Sequence, residues 1–427
     1  MLVLSPHVQP LPSLDTRASR LLADHDVTSL AEHIAAGSNC TLARARRAAA
    51  KAFHHAFAVD HKGDAPWDDD ALRDGGIGRW ARPALLVLSP RIELEIAERA
   101  PSEDGAERLL LRARDGALFE SVIIPAQAGR DRARTTLCLS SQVGCARGCT
   151  FCETGTLGLQ RQLTAAEIVD QYRIARRMCE PGTPDRPGDK RLTKRRDAAL
   201  ERKDESPSER SGEQQRAPEH FERPVSNIVF MGMGEPLDNL GELTRAISLL
   251  ATQQAFAIPP SHITVSTAGV ADKLAAFFRN TRAELAISLN APDDERRNEV
   301  MPINRRFDLK TLRRALVDSL PPGRRVLFQY ALFAGFNDAL QDADRLAAYL
   351  GDIPARVNVI PANPGPQSDL SSPVDDRIDA FVRRLHAHGV TALLRQPRGR
   401  DVGGACGQLA GARRKGAERE SKSCPSR

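Results

Sequence analysis

The chain has 427 residues, of which 41% are hydrophobic, so it is long enough for one large globular domain with smaller additions. Lys and Arg outnumber Asp and Glu by 61 to 55, and the net charge of +6 suits an anionic partner such as structured RNA without proving one. The sequence contains no apolar run near the roughly 18 residues of a membrane helix, and its opening MLVLSPHVQPLPSLDT lacks the features of a secretory signal, which predicts a cytoplasmic protein.

Residues 1–90 predict a small helical domain that could bind RNA. The stretch TLARARRAAAKAF places Arg44, Arg47 and Lys51 at helical spacings on one side of a helix. Such a side can bind nucleic acid, or it can be an ordinary solvated surface, and the charge pattern favours neither reading.

Residues 91–130 predict a β-rich connector, and this connector carries Glu120. Two apolar runs, RLLLRAR and FESVIIP, flank a turn at Asp115 and Gly116. Because apolar runs on both sides of an Asp-Gly pair are typical of two antiparallel strands, we expect an extended hairpin here.

From residue 131 to residue 411, β-type runs alternate with helical stretches. The runs are TTLCLS, NIVFMGM, HITVST, ELAISLN, RVLFQYALF, RVNVIP and TALLRQ. This alternation predicts an α/β fold, a partial (β/α) barrel whose functional residues lie at the carboxyl ends of the strands.

Two segments are too polar to form a core of their own. Residues 181–223 are dense in charge, Pro, Ser and Gly, and large apolar side chains are nearly absent from them. We therefore expect a disordered insertion that interrupts the catalytic core in sequence. Residues 412–427 form a short basic tail that we expect to be frayed.

Three of the eight cysteines crowd into the segment GCARGCTFCETG. The spacing C-x3-C-x2-C of Cys145, Cys149 and Cys152 places three thiolates on one short loop. We expect this loop to lie between a strand and a helix that follows it directly and opens with a capping box of Thr164 and Glu167. Cys40, Cys179 and Cys424 are scattered, and we interpret them as structural or incidental.

Thiolates at this spacing suit an iron-sulfur cluster. Zinc would normally bring paired C-x2-C knuckles or a His partner, and neither is evident near the cysteine loop. A 4Fe-4S cluster held by three cysteines leaves one iron open. In radical enzymes S-adenosylmethionine occupies that open position, so the spacing indicates this cofactor as well.

Small and polar residues follow several of the predicted strands. As isolated residues each would be an ordinary strand end, but together they outline a site of nucleoside size at one face of the barrel. These residues are Gly234, Glu235, Ser266, Ser288, Asn290 and Asn363.

Two further cysteines lie at positions that suggest chemistry. Cys138 lies on the first strand of the barrel, where it could be simply a buried strand residue. Cys406 lies in the glycine-rich stretch RGRDVGGACGQLAG, and a flexible loop suits a thiol that must move between partners. Cys406 is therefore the better candidate nucleophile.

Taken together, these motifs resemble the RlmN/Cfr family of radical S-adenosylmethionine RNA methyltransferases. The similarity runs from roughly Phe119 to Gly411 outside the insertion and includes CLSSQVGCARGCTFCETG, GMGEPLDN, SLNAPDDERRNEVMPIN and ACGQLAG. It is poor over the first 90 residues, where the family carries a small RNA-binding domain.

The resemblance implies a cofactor and its binding residues. A 4Fe-4S cluster would be bound by three cysteines, namely Cys145, Cys149 and Cys152. The residues implied to contact S-adenosyl-L-methionine are Gly234, Glu235, Ser266, Ser288, Leu289, Asn290 and Asn363. The sequence departs from the family pattern at Asn290, where many relatives have His, and at Glu153 and Ala362.

The resemblance also implies a reaction. Cys406 would take a methyl group by nucleophilic displacement, and a radical would then remove hydrogen from that methyl group. The methylene radical would add to carbon 2 of an adenine in 23S rRNA or tRNA, Glu120 would remove the ring proton as general base, and Cys138 would attack the Cys406 sulfur to release the RNA. The expected partners of a monomeric enzyme are structured RNA, a cytosolic electron donor and a thiol reductant.

Other readings of the sequence remain open. Methylation at adenine carbon 8 would use the same motifs. A radical reaction on a substrate other than RNA would leave Cys138 and Cys406 without roles. From a different class, the protein could be a non-catalytic iron-sulfur redox sensor or an RNA-binding module, which would not cleave S-adenosylmethionine.

Overall fold

The structure is a computed structural model. It describes residues 20–22, 25, 27–38, 40–59, 68–86, 88–89, 94–125, 134–179, 225–253, 255–363 and 370–409. The expected disordered insertion at 181–223 and the basic tail at 412–427 lie outside these residues and stay predictions. No helix in the described part of the chain combines the length and the apolarity needed to cross a membrane.

Short helices form the first part of the chain. The two-residue strand β1 precedes these helices and pairs in parallel with the two-residue strand β2, which follows them. The elements are β1 (Arg20–Leu21), α1 (Val27–Ser38), α2 (Leu42–Phe53, continued by a π-helical turn at His54–Val59), α3 (Asp69–Asp74), α4 (Arg82–Leu86) and β2 (Leu88–Ser89).

Helix α2 shows why this region folds. Its alanines at positions 45, 48, 49 and 52 are buried, at the spacing of one helical face, so α1 can approach closely. The basic residues lie on the exposed side. The Arg44 guanidinium lies 4.4 Å from the centre of the Trp80 ring, and Lys51 donates to the Gly76 carbonyl at 2.7 Å. An RNA-binding role for this surface stays a prediction.

The expected hairpin is confirmed, and a third strand extends it. Strands β3 (Glu95–Pro101), β4 (Glu107–Arg112) and β5 (Leu118–Pro125) pair in antiparallel order. Strand β5 then pairs with β6 (Thr135–Cys138), which places Val122 opposite Cys138. The connector strands are therefore continuous with the sheet of the core.

The segment that holds the cysteine loop differs from the prediction. Strands β7 (Gln142–Cys145) and β8 (Gly158–Gln162) form a separate antiparallel pair, and the short helix α5 (Glu153–Thr156) lies between them. Helix α6 (Ala165–Cys179) follows β8, so the expectation that this helix follows directly on the cysteine loop is wrong. Its predicted capping box is confirmed, with the Thr164 hydroxyl accepting from Glu167 N and the Glu167 carboxylate accepting from Thr164 N.

All seven predicted β-type runs of the core form strands, and all seven lie in one parallel arrangement. After β6 they follow in sequence order as β9 to β14, and the complete sheet has ten strands in the order β14-β13-β12-β11-β10-β9-β6-β5-β4-β3. The remaining strands are β9 (Val225–Phe230), β10 (Ile263–Thr267), β11 (Glu284–Ser288), β12 (Val326–Leu332), β13 (Ala355–Pro361) and β14 (Ala392–Leu394).

Helices connect these strands and contact one another. Helix α6 packs on α7, α8 packs on α10, and α11 packs on α12. The helices are α7 (Leu240–Ala251), α8 (Leu274–Asn280), α9 (Asp294–Val300), α10 (Leu309–Ser319), α11 (Leu340–Leu350) and α12 (Asp375–Ala387), with short 3-10 turns at Pro236–Asn239, Pro260–His262, Ala271–Lys273 and Pro302–Arg305.

This order of strands defines the architecture. The seven parallel strands follow one another in sequence order with helices between them, and their order never reverses, as in a (β/α) barrel that stays open on one side. The α/β class and the partial barrel are therefore confirmed. The carboxyl ends of β9 to β13 meet at one edge, where a ligand site is expected.

Candidate active site

A pocket opens at the carboxyl ends of the parallel strands. Its walls surround about 1000 Å³ of atom-free space that is open to solvent. The three cysteines of the C-x3-C-x2-C loop line it, and so do Cys406 and six of the residues expected to bind S-adenosylmethionine. Those six are Gly234, Glu235, Ser266, Ser288, Asn290 and Asn363.

Contacts from two residues between its cysteines hold the cysteine loop in place. Arg147 forms a bidentate ion pair with Asp238 in the 3-10 turn Pro236–Asn239, and Thr150 N donates to the Val300 carbonyl at 3.1 Å. Gly148 has a φ of +63°, a left-handed conformation that glycine adopts without strain. The loop therefore presents its three thiols to the pocket in a defined arrangement.

The electrostatics of the loop favour occupation by a positively charged centre. Burial raises the pKa of Cys145 to about 12, and it also raises the pKa of Cys149, with the neighbouring thiols adding to the effect. Thiolates gathered in such a place need a compensating positive charge, and iron ions supply one. Among the described residues, no three His, Cys, Asp or Glu side chains are grouped so as to hold a single ion.

The donor set fits a 4Fe-4S cluster. Each cysteine of such a cluster binds a different iron, so the thiols have to surround a common space rather than converge on one point. Cys145, Cys149 and Cys152 line the same pocket, which meets this requirement.

Gly234 and Glu235 close the end of β9. Gly234 has a φ of +101°, and a Cβ atom there would lie 2.5 Å from the Cβ of Gln142, so only glycine fits. The buried Glu235 carboxylate accepts from the backbone N of Leu237 at 3.0 Å and of Ala268 at 2.7 Å. Burial raises its pKa to about 7, although these hydrogen bonds oppose the rise.

Of the three residues at the ends of β10 and β11 that are expected to bind S-adenosylmethionine, two line the pocket and one does not. The Ser266 hydroxyl donates to Gln329 Oε1 at 2.8 Å and lines the pocket. Ser288 also lines the pocket, whereas the Leu289 side chain is fully buried in the core and does not reach the wall. A role for Leu289 in cofactor binding can therefore involve only its backbone, and it stays a prediction.

Asn290, a departure from the family pattern, is held by the protein itself. Its φ is +58°, a left-handed conformation that Asn tolerates better than most residues. Its side chain accepts from Ala331 N at 2.9 Å and contacts Met301 Sδ, while its carbonyl accepts from Asn337 Nδ2 at 2.8 Å. The residue joins the ends of β11 and β12 beside the pocket.

The loop of Cys406 is hydrogen-bonded to two other parts of the molecule, the cysteine segment and the end of β13. The amide of Glu153 in the cysteine segment donates to the Gly407 carbonyl at 2.8 Å, and the Thr154 hydroxyl donates to the Leu409 carbonyl at 2.7 Å. Arg400 donates to the Asn363 side chain. Cys406 itself is exposed and lines the main pocket.

Cys406 also lines a second cavity, and this cavity contains Cys138. Residues Met231, Ile360 and Asn363 are common to the walls of both cavities. Cys406 therefore lies between the space lined by the three cysteines of the loop and the space lined by Cys138. Cys138 is buried, as the simple reading of a strand residue expected, yet it faces a cavity.

Glu120 lies apart from the pocket. It is fully buried on β5, and its carboxylate accepts from Arg108 Nη1 at 2.5 Å. Arg108 also donates to the Val402 carbonyl at 2.8 Å, which ties this carboxylate to the loop of Cys406. The structure thus brings Glu120 beneath that loop but not into the lining of the main pocket.

Sequence reasoning missed two buried residues that support the site. Gln142 accepts from Glu235 N at 2.7 Å and donates to Gln162 Oε1. The fully buried Arg297 donates to the carbonyl oxygens at the ends of β10 and β11 and to the Asn304 side chain, and it forms no ion pair with any described residue. Neither residue carries a sequence signal, since each is a polar residue in a polar stretch.

The chain is similar to known proteins over most of its length. It is 54% identical over 394 residues to a probable RNA methyltransferase of Sorangium cellulosum. The aligned segment covers 92% of this chain and 88% of that protein. The chain is 40% identical over 336 residues to the dual-specificity RNA methyltransferase RlmN of Anaeromyxobacter dehalogenans, with coverage of 78% and 80%. No family model matches the chain.

A solved structure extends the likeness to the fold. A radical SAM methyltransferase from Sphaerobacter thermophilus matches with a TM-score of 0.69 at 32% identity, and the match covers 91% of this chain and 99% of that one. Fold and site together define a radical S-adenosylmethionine enzyme that transfers methyl groups. The chain belongs to the RlmN/Cfr family of radical S-adenosylmethionine RNA methyltransferases, which confirms the resemblance found in the sequence.

Proposed function

We propose that the protein methylates carbon 2 of an adenine in RNA and that the methyl carbon passes through Cys406. One observation carries the proposal: Cys406 lines both the pocket of the three loop cysteines and the cavity of Cys138. A thiol in that place can receive carbon on one side and be attacked by a second thiol on the other. A redox sensor or a passive RNA-binding protein would need neither partner.

The residues that would hold the cofactors line the main pocket. We assign the 4Fe-4S cluster to Cys145, Cys149 and Cys152, and S-adenosyl-L-methionine to the strand ends around Ser266, Ser288 and Asn363. When bound, these groups supply a methyl group and a carbon radical. Because carbon 2 of adenine is electron-poor, it cannot take a methyl cation directly, which is why radical chemistry is required.

The chain's own residues perform the transfer steps. Cys406 acts as the nucleophile that accepts the methyl group, and it carries the activated carbon to the base. Glu120, positioned by Arg108 beneath the Cys406 loop, takes the ring proton as general base. Cys138 then attacks the Cys406 sulfur, which forms a disulfide and frees the methylated RNA.

The partners follow from this chemistry. We propose 23S rRNA as the acceptor and tRNA as a second acceptor, since several relatives are named dual-specificity RNA methyltransferases. A cytoplasmic monomer would draw electrons for the cluster from a cytosolic donor and would need a thiol reductant after each turnover. The surface of α2 would contribute to RNA binding.

The test is peptide mass spectrometry of Cys406 after expression with an intact cluster. We expect one added methyl group on the Cys406 peptide, and no methyl group on the same peptide in a Cys149→Ala variant. An unmodified Cys406 in cluster-loaded protein would contradict the proposal. Mapping the RNA product then separates methylation at carbon 2 from methylation at carbon 8.

A further inference from the structure

The cavity behind Cys406 contains a cation as well as the second thiol. Arg395 follows β14, and its backbone N donates to the Val359 carbonyl at 2.9 Å, which fixes where its side chain begins. Arg395 lines the cavity together with Cys138 and Cys406. One of its nitrogens, Nη1, lies 3.6 Å from Met231 Sδ.

Met231 links the arginine to the buried thiol. The backbone N–H of Met231 interacts with the Cys138 thiol, while its thioether accepts from Arg395. The same residue lines both cavities. Two contacts therefore hold Arg395 beside Cys138. Its backbone N donates to Val359 on β13, and its guanidinium donates to the Met231 thioether.

The charged and titratable groups that face Cys138 across the cavity are Cys406, Arg395 and Arg398. Arg398 has a carboxylate neighbour, since its Nε lies 3.5 Å from Asp104 Oδ2 and its Nη2 donates to the Asp104 carbonyl. The side-chain bond of Arg395 goes instead to a thioether, which is a weak and uncharged acceptor. Its charge is thus available to a sulfur in the cavity.

These groups act on the Cys138 thiol in opposite directions. Burial and, to a smaller extent, the nearby Cys406 thiol together raise its pKa to about 12, whereas the charge of Arg395 opposes this rise. Once the Cys406 sulfur carries carbon, it is a neutral thioether and cannot repel a thiolate. At the stage where Cys138 must react, Arg395 is therefore opposed by burial alone.

We propose that Arg395 is the positioning residue of the resolving step and that its guanidinium stabilises the Cys138 thiolate as that sulfur attacks Cys406. This inference rests on the proposed function. In the step an S–S bond forms between the two cysteines and the bond from the Cys406 sulfur to the substrate carbon breaks. The electron pair of the broken bond stays on that carbon, which takes a proton from solvent and becomes the methyl group, and the thiol reductant later restores both cysteines.

The experiment follows the covalent protein–RNA adduct in a single turnover of the cluster-loaded, full-length protein. Cys138→Ala should accumulate the adduct because nothing resolves it. Arg395→Gln should form the adduct at the wild-type rate and resolve it at least about 10-fold more slowly. Arg395→Lys, which keeps the charge, should resolve it within about 3-fold of wild type. Arg383→Gln removes the same charge from the exposed side of α12 and should resolve it at the wild-type rate.

A pH series distinguishes the loss of charge from a loss of shape. The rate of adduct resolution should rise with pH as Cys138 ionises, and the Arg395→Gln profile should lie at higher pH than the wild-type profile, whereas Arg395→Lys should keep the wild-type profile. Wild-type resolution in Arg395→Gln, or equal losses in the Lys and Gln variants, would overturn the inference. A Cys138→Ala protein without any adduct would instead count against the proposed function itself.

Discussion

Two loops bring sulfur to the same pocket, and they are built in different ways. The cysteine loop at 145–152 lies between paired strands and ends at a short helix, so neighbouring segments set most of its shape. The loop at 398–409 has no secondary structure of its own. Contacts from residues about 250 to 300 positions earlier in the chain hold it.

The turn between β3 and β4 supplies many of these distant contacts. Ser102 donates to Asp401 Oδ1 at 2.5 Å, and Glu103 N donates to Asp401 Oδ2 at 3.0 Å. In return, Gly399 N donates to Asp104 Oδ2 at 2.8 Å. A glycine-rich loop can therefore be anchored by distant residues and still leave Cys406 exposed.

The largest expected effect concerns the cysteine loop. In Cys149→Ala the loop keeps its hydrogen bonds but loses one ligand, so we expect iron binding to be lost and RNA methylation to fall by at least about 10³-fold. Iron analysis and a methylation assay measure this. Cys40→Ala, which changes a cysteine far from the site in sequence, should retain full iron content. Normal iron content in Cys149→Ala would contradict the ligand assignment.

Arg297 tests how far the strand ends beside the pocket depend on one buried guanidinium that bonds residues 7 to 29 positions away in sequence. Lysine cannot reach the four acceptors of this buried guanidinium, which include the Ala268 and Ser288 carbonyls, so we expect Arg297→Lys to lower the free energy of unfolding by about 3 kcal/mol. Arg296→Lys is the matched control because this neighbour bonds carboxylates that lysine can still pair with, at Asp293 and Asp342. Denaturant unfolding compares the two, and equal losses would argue against this role.

The contrast between local and distant contacts also explains which features the sequence could predict. The seven parallel strands are readable because each is a run rich in apolar or β-branched residues, even β14, where Leu393 and Leu394 are exposed, and the cysteine loop is readable because its three cysteines lie within eight residues. Arg297, Gln142 and the contact between Asp401 and the β3–β4 turn are not readable, since their partners meet only in the folded chain. The intervening β8 was missed for a related reason: its sequence, GLQRQ, is polar and mostly exposed.

Loosening the anchor of the second loop should have a smaller effect. Asp401→Asn keeps one side-chain oxygen as an acceptor and loses the other. The amide hydrogens of residues 399–404 should therefore exchange about 5- to 10-fold faster, which corresponds to a decrease of roughly 1 kcal/mol in the free energy of local opening. The cysteine loop should exchange at an unchanged rate. Hydrogen exchange with mass spectrometry measures both, and Asp379→Asn on α12 is the control with the same change in charge. Equal acceleration in both loops would show that they are not held independently.

The smallest effect is that of pH on this anchor. Burial by itself would raise the pKa of Asp104, but hydrogen bonds from Ala106 N and Gly399 N outweigh it and lower the pKa below the ordinary 3.8, and the pKa of Asp401 is lowered in the same way by Ser102 and Glu103 N. A carboxyl group with a lowered pKa stabilises the fold above its unfolded value and loses that contribution as the pH falls through its folded value. After correction for the intrinsic exchange rate, protection of residues 399–404 should therefore be constant from pH 8 to about pH 5 and should decline only below about pH 4. A decline already between pH 7 and pH 5 would mean that another group, and not this pair of carboxylates, anchors the Cys406 loop.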